Sequence, residues 1–178
     1  MNLILLGGNN VGNKKWICAV EKLFKPYFDT HVLYYKHWES GIEWINPDEE
    51  VKRLARLTGR LKEYTIFARS AGTLLTLMGN AKKFLNPKRC IFVGTSIKWS
   101  EYFDPDYDGW LKTFNAKSLF IQKTKDPAIS SKNLKEFIDK RHLTDYELKE
   151  IPGEDHYYGN IEELRNLTVR FFSNKSKK

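Results

Sequence analysis

Six short runs rich in Leu, Ile, Val and Phe punctuate the chain, and helix-patterned stretches separate them. The runs are Leu3–Leu6, His31–Tyr35, Tyr64–Ala68, Cys90–Val93, Ser118–Gln122 and Tyr146–Ile151. Several are continuously apolar rather than alternating, which is the pattern of strands buried on both faces. The stretches between them carry legible helix signals. Asn46-Pro47-Asp48-Glu49 offers an N-cap, a proline at the first helical position and a capping glutamate. Ser130 or Ser131 can cap a helix through Phe137 and Ile138, and Asn160 with Glu163 opens the last one. Strand, helix, strand along the whole chain implies right-handed crossovers. The expected class is therefore α/β: three layers, αβα, around a mainly parallel sheet of roughly six strands. The 178 residues fit one domain, expected over 1–174, with a basic tail at 175–178.

Composition narrows the function classes. With 41% hydrophobic and 29% charged residues the chain is globular rather than disordered. No apolar run approaches the roughly 20 residues that span a bilayer, so no membrane partner is expected. The start, Met1-Asn2-Leu3, lacks a basic n-region, and Gly7-Gly8-Asn9-Asn10 ends the first apolar run too early for a signal peptide. Cys18 and Cys90 show no CxxC spacing and read as reduced core thiols of a cytoplasmic protein. The formal net charge of +8 is partly the lysines of the tail. Lys52, Arg53, Arg56, Arg60 and Lys62 flank Val51, Leu54, Leu57 and Leu61, which keep helical spacing, so the cations form a solvated face. No nucleic-acid signature accompanies them, and only weak, non-specific association is expected. His31 at a strand start, His37 on a loop and His142 at a helix end share no metal-like spacing. Neither GxGxxG nor a Walker pattern is present, so neither metal nor other cofactor is expected.

In a parallel sheet, functional loops lie outside the carboxyl ends of the strands. The sharpest signal there is Ala68-Arg69-Ser70-Ala71-Gly72, where a buried run passes through small-x-Ser-x-Gly straight into a helix. A nucleophile in such a tight turn needs small residues two positions to either side, because bulk would clash. The helix start also aims a positive end at a developing oxyanion. A serine that merely caps its helix would look similar. What favours chemistry is company: Asp126 follows the run Ser118–Gln122, His156 follows Tyr146–Ile151, and the order is Ser…Asp…His. Asp104, Asp108 and Asp155 are rival acids. Asp126 is preferred because Pro127 stiffens the backbone behind it, whereas Asp104 and Asp108 sit far out in a long loop and Asp155 adjoins His156.

These residues resemble a compact α/β-hydrolase over nearly the full chain. Ala68 departs from strict GxSxG, and the chain begins at what resembles the family's third strand, leaving six strands instead of eight. The resemblance implies that Ser70, Asp126 and His156 form a catalytic triad. It further implies that the backbone N–H groups of Asn9, in Leu6-Gly7-Gly8-Asn9, and of Ala71 form an oxyanion hole. The implied activity is hydrolysis of a small-molecule carboxylic ester through an acyl-enzyme on Ser70. A thioesterase, an amidase and a non-catalytic binding module on the same scaffold are the alternatives. Aromatic residues crowd the neighbouring loops, and Trp38, Trp44, Trp99, Tyr102 and Tyr157 are candidates for the substrate pocket, with local loop packing as the competing explanation. Nothing in the sequence bears on oligomeric state.

Overall fold

The computed structural model describes residues 1–173, so the expected basic tail, 175–178, lies outside the described residues. Its element order is β1 (Asn2–Leu6), α1 (Gly12–Phe24), β2 (Asp29–Leu33), α2 (His37–Ser40), α3 (Pro47–Thr58), β3 (Tyr64–Arg69), α4 (Ala71–Ala81) and β4 (Arg89–Val93). There follow α5 (Ile97–Ser100), a 3-10 turn (Glu101–Phe103), α6 (Tyr107–Thr113), β5 (Lys117–Lys123), α7 (Ser131–Asp139), β6 (Tyr146–Ile151) and α8 (Ile161–Ser173). The six strands form one sheet in the order β2-β1-β3-β4-β5-β6. Every neighbouring pair is parallel.

The continuous apolar runs end up where double burial requires them. Leu3, Ile4, Leu5 and Leu6 of β1, Ile66 and Phe67 of β3, and Cys90 to Val93 of β4 are wholly inside. The edge strand β6, Tyr146–Ile151, is half solvated. The second strand starts two residues before the expected His31, because Asp29 pairs with Asn2 at the foot of β1. His31 is thus mid-strand, its Nε2 3.1 Å from Asn2 Oδ1.

Helices close both faces. Phe28, at the end of the α1 crossover, packs its ring 5.4 Å from Phe172 of α8 on one side. On the other, Tyr107 of α6 packs 5.4 Å from Phe137 of α7, and Gly79 lets α4 approach Val51 of α3 and Leu85. The expected caps form: Asn46 accepts from Glu49 N, Ser130 from Asn133 N and Asn160 from Glu163 N. Of the basic cluster expected along one helix, Lys52 and Arg56 lie exposed on α3, but α3 ends at Thr58 with Gly59 after it, so Arg60 and Lys62 are exposed beyond the helix rather than on it. Arg53 is not exposed: it bridges the buried Glu50 carboxylate and the Tyr34 carbonyl, tying α3 to the end of β2.

Two further expectations are corrected. Cys18 is exposed rather than in the core, because α1 turns Trp16, Ile17 and Val20 inward and leaves position 18 outward. His37 is not on an open loop but begins α2 and is buried. None of the described helices is long and apolar enough to cross a membrane.

Candidate active site

The centre of the site is the junction of β3 and α4. Ser70 adopts φ +50° and ψ −113°, outside the regions an L-residue ordinarily visits. Its N–H donates to Val93 O at 3.0 Å, which pins the turn to β4. Such a conformation costs on the order of 1–3 kcal/mol and persists only where its surroundings over-determine it. The need for small neighbours is visible. A Cβ on Gly72 would stand 2.7 Å from Leu6 Cβ and 3.3 Å from Ala68 Cβ. A methyl group is therefore tolerated at position 68 because position 72 has none.

Three strand ends converge on this turn. His156, on the loop after β6, places Nε2 3.0 Å from Ser70 Oγ. Its Nδ1 lies 2.9 Å from both Asp126 oxygens. Asp126, on the loop after β5, is 3% exposed and also accepts the Ala128 N–H at 2.8 Å. Trp99 presses edge-on against the imidazole, with ring centroids 4.6 Å apart. The rival acids are engaged elsewhere or outside: Asp108 lies 2.8 Å from Arg141, Asp155 lies 2.9 Å from Lys123, and Asp104 is exposed on its turn. The Lys123 hydrogen bond holds the Asp155 carboxyl below the usual range.

The loop after β1 is fastened from several sides. Asn9 O accepts from Trp38 Nε1 at 2.9 Å and faces His37 Nε2 at 2.6 Å. The Asn9 side chain donates to Glu43 O and accepts from Ile45 N. Its carbonyl and both side-chain atoms are thus occupied, leaving its backbone N–H without a partner among the described residues. Ala71, the first residue of α4, likewise has no carbonyl inside the helix for its N–H to reach. His37 and Trp38, the one unassigned and the other expected to line the pocket, serve to clamp this loop.

A cavity of about 920 Å³ opens above the serine, within the usual range for small-molecule sites. Asn9, Ala71 and His156 border it, and its apolar side is made by Trp38, Ile42, Trp44, Leu74, Trp99, Tyr102 and Phe103. Trp44, between α2 and α3, and Tyr102, on the 3-10 turn, both line it and stack on each other, 5.4 Å apart at 21°. Tyr157, expected in the pocket, is absent from its walls. Its N–H binds Asp155 and its ring lies over Gly159, so the side chain is turned to solvent.

Sequence reasoning missed Arg69. This buried guanidinium donates to Asn13 Oδ1 and to His156 O, the latter at 2.9 Å, and lies over the Trp16 ring at 4.8 Å. Burial lowers its pKa. It ties the histidine loop to α1, and nothing about the residue before Ser70 announced that. Among the described residues no group of three or more His, Cys, Asp or Glu side chains could hold a metal ion.

No protein-family model matches the chain, and no curated protein matches it in sequence. Solved structures do match. The "predicted CIB-like hydrolase" of Thermoplasma acidophilum superposes with a TM-score of 0.74 at 17% identity, over 98% of this chain and 86% of that one. Est1E of Butyrivibrio proteoclasticus, solved with ferulic acid bound, gives 0.72 at 13% identity, over 99% and 90%. MGS-MChE2, an α/β-hydrolase from a lagoon-sediment metagenome, gives 0.71 at 12% identity, over 97% and 90%. The fold is that of the α/β-hydrolases. Within the α/β-hydrolase fold, this chain is a compact, six-stranded form with a strained serine turn after its third strand.

Proposed function

We propose that the protein is a serine hydrolase cleaving small carboxylic esters, with Ser70 as nucleophile, His156 as general base and acid, and Asp126 as the group that orients the imidazole. The single observation that supports this best is the continuous chain Ser70 Oγ–His156 Nε2, His156 Nδ1–Asp126 at hydrogen-bonding distances, starting from a strained turn that borders a cavity. Ser70 Oγ attacks the ester carbonyl carbon while Nε2 takes its proton. The tetrahedral oxyanion then faces the N–H groups of Asn9 and Ala71, donors of a kind worth about 3–4 kcal/mol each to the transition state. The carbon–oxygen bond to the leaving group breaks as Nε2 returns the proton to that oxygen. Water, deprotonated by the same nitrogen, releases the acid and restores Ser70.

The cavity argues for an apolar, preferably aromatic, acyl group. Its walls set Trp44, Trp99, Tyr102 and Phe103 around the serine, and planar rings gain from offset stacking beyond the area they bury. The ferulic acid bound to Est1E, a protein of the same fold, is a ligand of that kind. Neither thioesters nor amides are favoured by any particular contact. The test is a panel of chromogenic esters graded from acetyl to cinnamoyl. Ser70-dependent turnover that rises with acyl size and aromaticity is expected. No turnover of any ester by well-folded protein would instead favour a binding module on this scaffold.

A further inference from the structure

A fully buried phenol is committed to the aspartate. Tyr158 is 2% exposed, and its ring fills the space over Gly94, where φ is +57° and a Cβ would stand 2.4 Å from the ring. The Tyr158 carbonyl accepts the Trp16 indole N–H at 2.8 Å, so the residue is anchored at both ends. Its hydroxyl makes two hydrogen bonds. The Lys123 N–H donates to it at 3.0 Å, and it lies 2.7 Å from Asp126 Oδ2. A backbone N–H can only donate, so Lys123 occupies a lone pair of the phenol oxygen. The one phenolic proton therefore goes to Asp126. Oδ1 of the same carboxylate accepts the Ala128 N–H at 2.8 Å.

The consequence reaches Ser70. With donors from Tyr158 and Ala128 already on it, Asp126 is held as an acceptor-only carboxylate. His156 Nδ1, 2.9 Å from both oxygens, must then carry its proton. Nε2 is left with its lone pair toward Ser70 Oγ, the tautomer a general base needs. Burial first, and then the Asp126 charge, push the Tyr158 phenol well above its usual range, so it stays a neutral donor.

We propose that Tyr158 is a positioning residue: its hydroxyl locks the Asp126 carboxylate in the rotamer that holds His156, and withdraws part of the charge His156 feels. Its importance for turnover rests on the hydrolase reading, whereas the hydrogen-bond network can be tested without it. The other charged and polar groups around the pair are Arg69 of β3 on the His156 carbonyl, Lys123 with its Nζ over the Tyr158 ring, Asp155, ion-paired with Lys123 and adjoining His156 in sequence, and Ser70 on Nε2. Among the described residues, only His156 and Tyr158 reach Asp126 Oδ2. Tyr158→Phe keeps the ring over Gly94 and all the other groups, and removes one O–H.

The decisive measurement follows the His156 ring resonances by NMR through a pH titration of the resting protein. Without the phenolic donor the Asp126 charge is fuller and stabilises the imidazolium more. The midpoint should then move upward in Tyr158→Phe by about half a pH unit or more. A site-specifically introduced difluorotyrosine, a stronger donor, should move it downward, which keeps the proposal testable if the phenylalanine variant does not fold. On an activated ester, Tyr158→Phe should lower kcat about tenfold to a hundredfold with KM within about threefold. A midpoint unmoved by either substitution overturns the proposal and reduces Tyr158 to a packing residue. Failure of the hydrolase reading shows separately, as wild-type protein that turns over no ester while the midpoint still shifts.

Discussion

At the residue scale, the proposed mechanism gives each side chain at the strand ends a distinct job, and substitutions should separate them. Asp126→Asn keeps shape and most hydrogen bonds but presents the wrong donor to Nδ1. It should lose about 10²–10⁴ in kcat on an activated ester while the circular dichroism spectrum is unchanged. Asp104→Asn and Asp155→Asn should stay within about tenfold, since one carboxylate is exposed and the other serves Lys123. The site residues were legible to different degrees. Ser70, Asp126 and His156 were singled out from residue type and place after a strand, and the structure brings their side chains within hydrogen-bonding distance of one another. Tyr157 was expected at the pocket and Tyr158 was given no role, and the structure reverses them, since which of two adjacent tyrosines turns inward depends on the contact with Gly94 and Asp126, distant in sequence. Arg69 was illegible for a related reason: its partners Asn13, Trp16 and His156 belong to α1 and to the loop after β6.

At the element scale, the two loops that carry the aromatic wall are joined chiefly by ring contacts. Trp44 stacks on Tyr102 and meets Phe103 edge-on. Trp44→Ala removes that wall without touching Ser70, so KM for aromatic esters should rise about tenfold, the equivalent of about 1.4 kcal/mol, with acetyl-ester kcat nearly unchanged. Arg69 links β3, α1 and the histidine loop. Arg69→Met keeps the stem over Trp16 but strands the His156 carbonyl and Asn13, which should cost about 1–3 kcal/mol in a urea titration. Strands and capped helix starts were read within one or two residues, whereas α3, expected to run on through Lys62, ends at Thr58. The segment from Gly94 to Asn115 was expected only as a long loop with aromatic residues. It contains α5, a 3-10 turn and α6, pieces too short for helical periodicity to register, held instead by contacts such as Asp106 to Gly109 N and Ser100 to Tyr107.

At the scale of the whole molecule, the tyrosines set an alkaline limit. Tyr35, Tyr64, Tyr107 and Tyr158 all have phenols raised above the usual value, first by burial, and Tyr107 reaches about 12. A group with a raised folded-state value contributes stability that is fully present below the unfolded value, here near pH 10. That stability is lost as pH rises through the folded value. Between pH 10 and 12 the unfolded chain therefore ionises first, and Tyr107 alone should cost about 1.4 kcal/mol per unit of pH. The urea midpoint should fall steeply over that interval, and less steeply in Tyr107→Phe. An equal slope in the variant would contradict this assignment.

The architecture as a whole was the most legible level, because doubly buried runs alternating with capped helices admit few folds besides a parallel sheet covered on both faces. The central claim concerns chemistry rather than architecture, and one measurement addresses it most directly. Protein treated with a fluorophosphonate probe is digested, and the labelled peptide is identified by mass spectrometry. A phosphonyl group on Ser70 is predicted, at a rate lowered at least a hundredfold by Asp126→Asn and abolished by Ser70→Ala. Folded wild-type protein that stays unlabelled, or is labelled at a residue other than Ser70, would contradict the account.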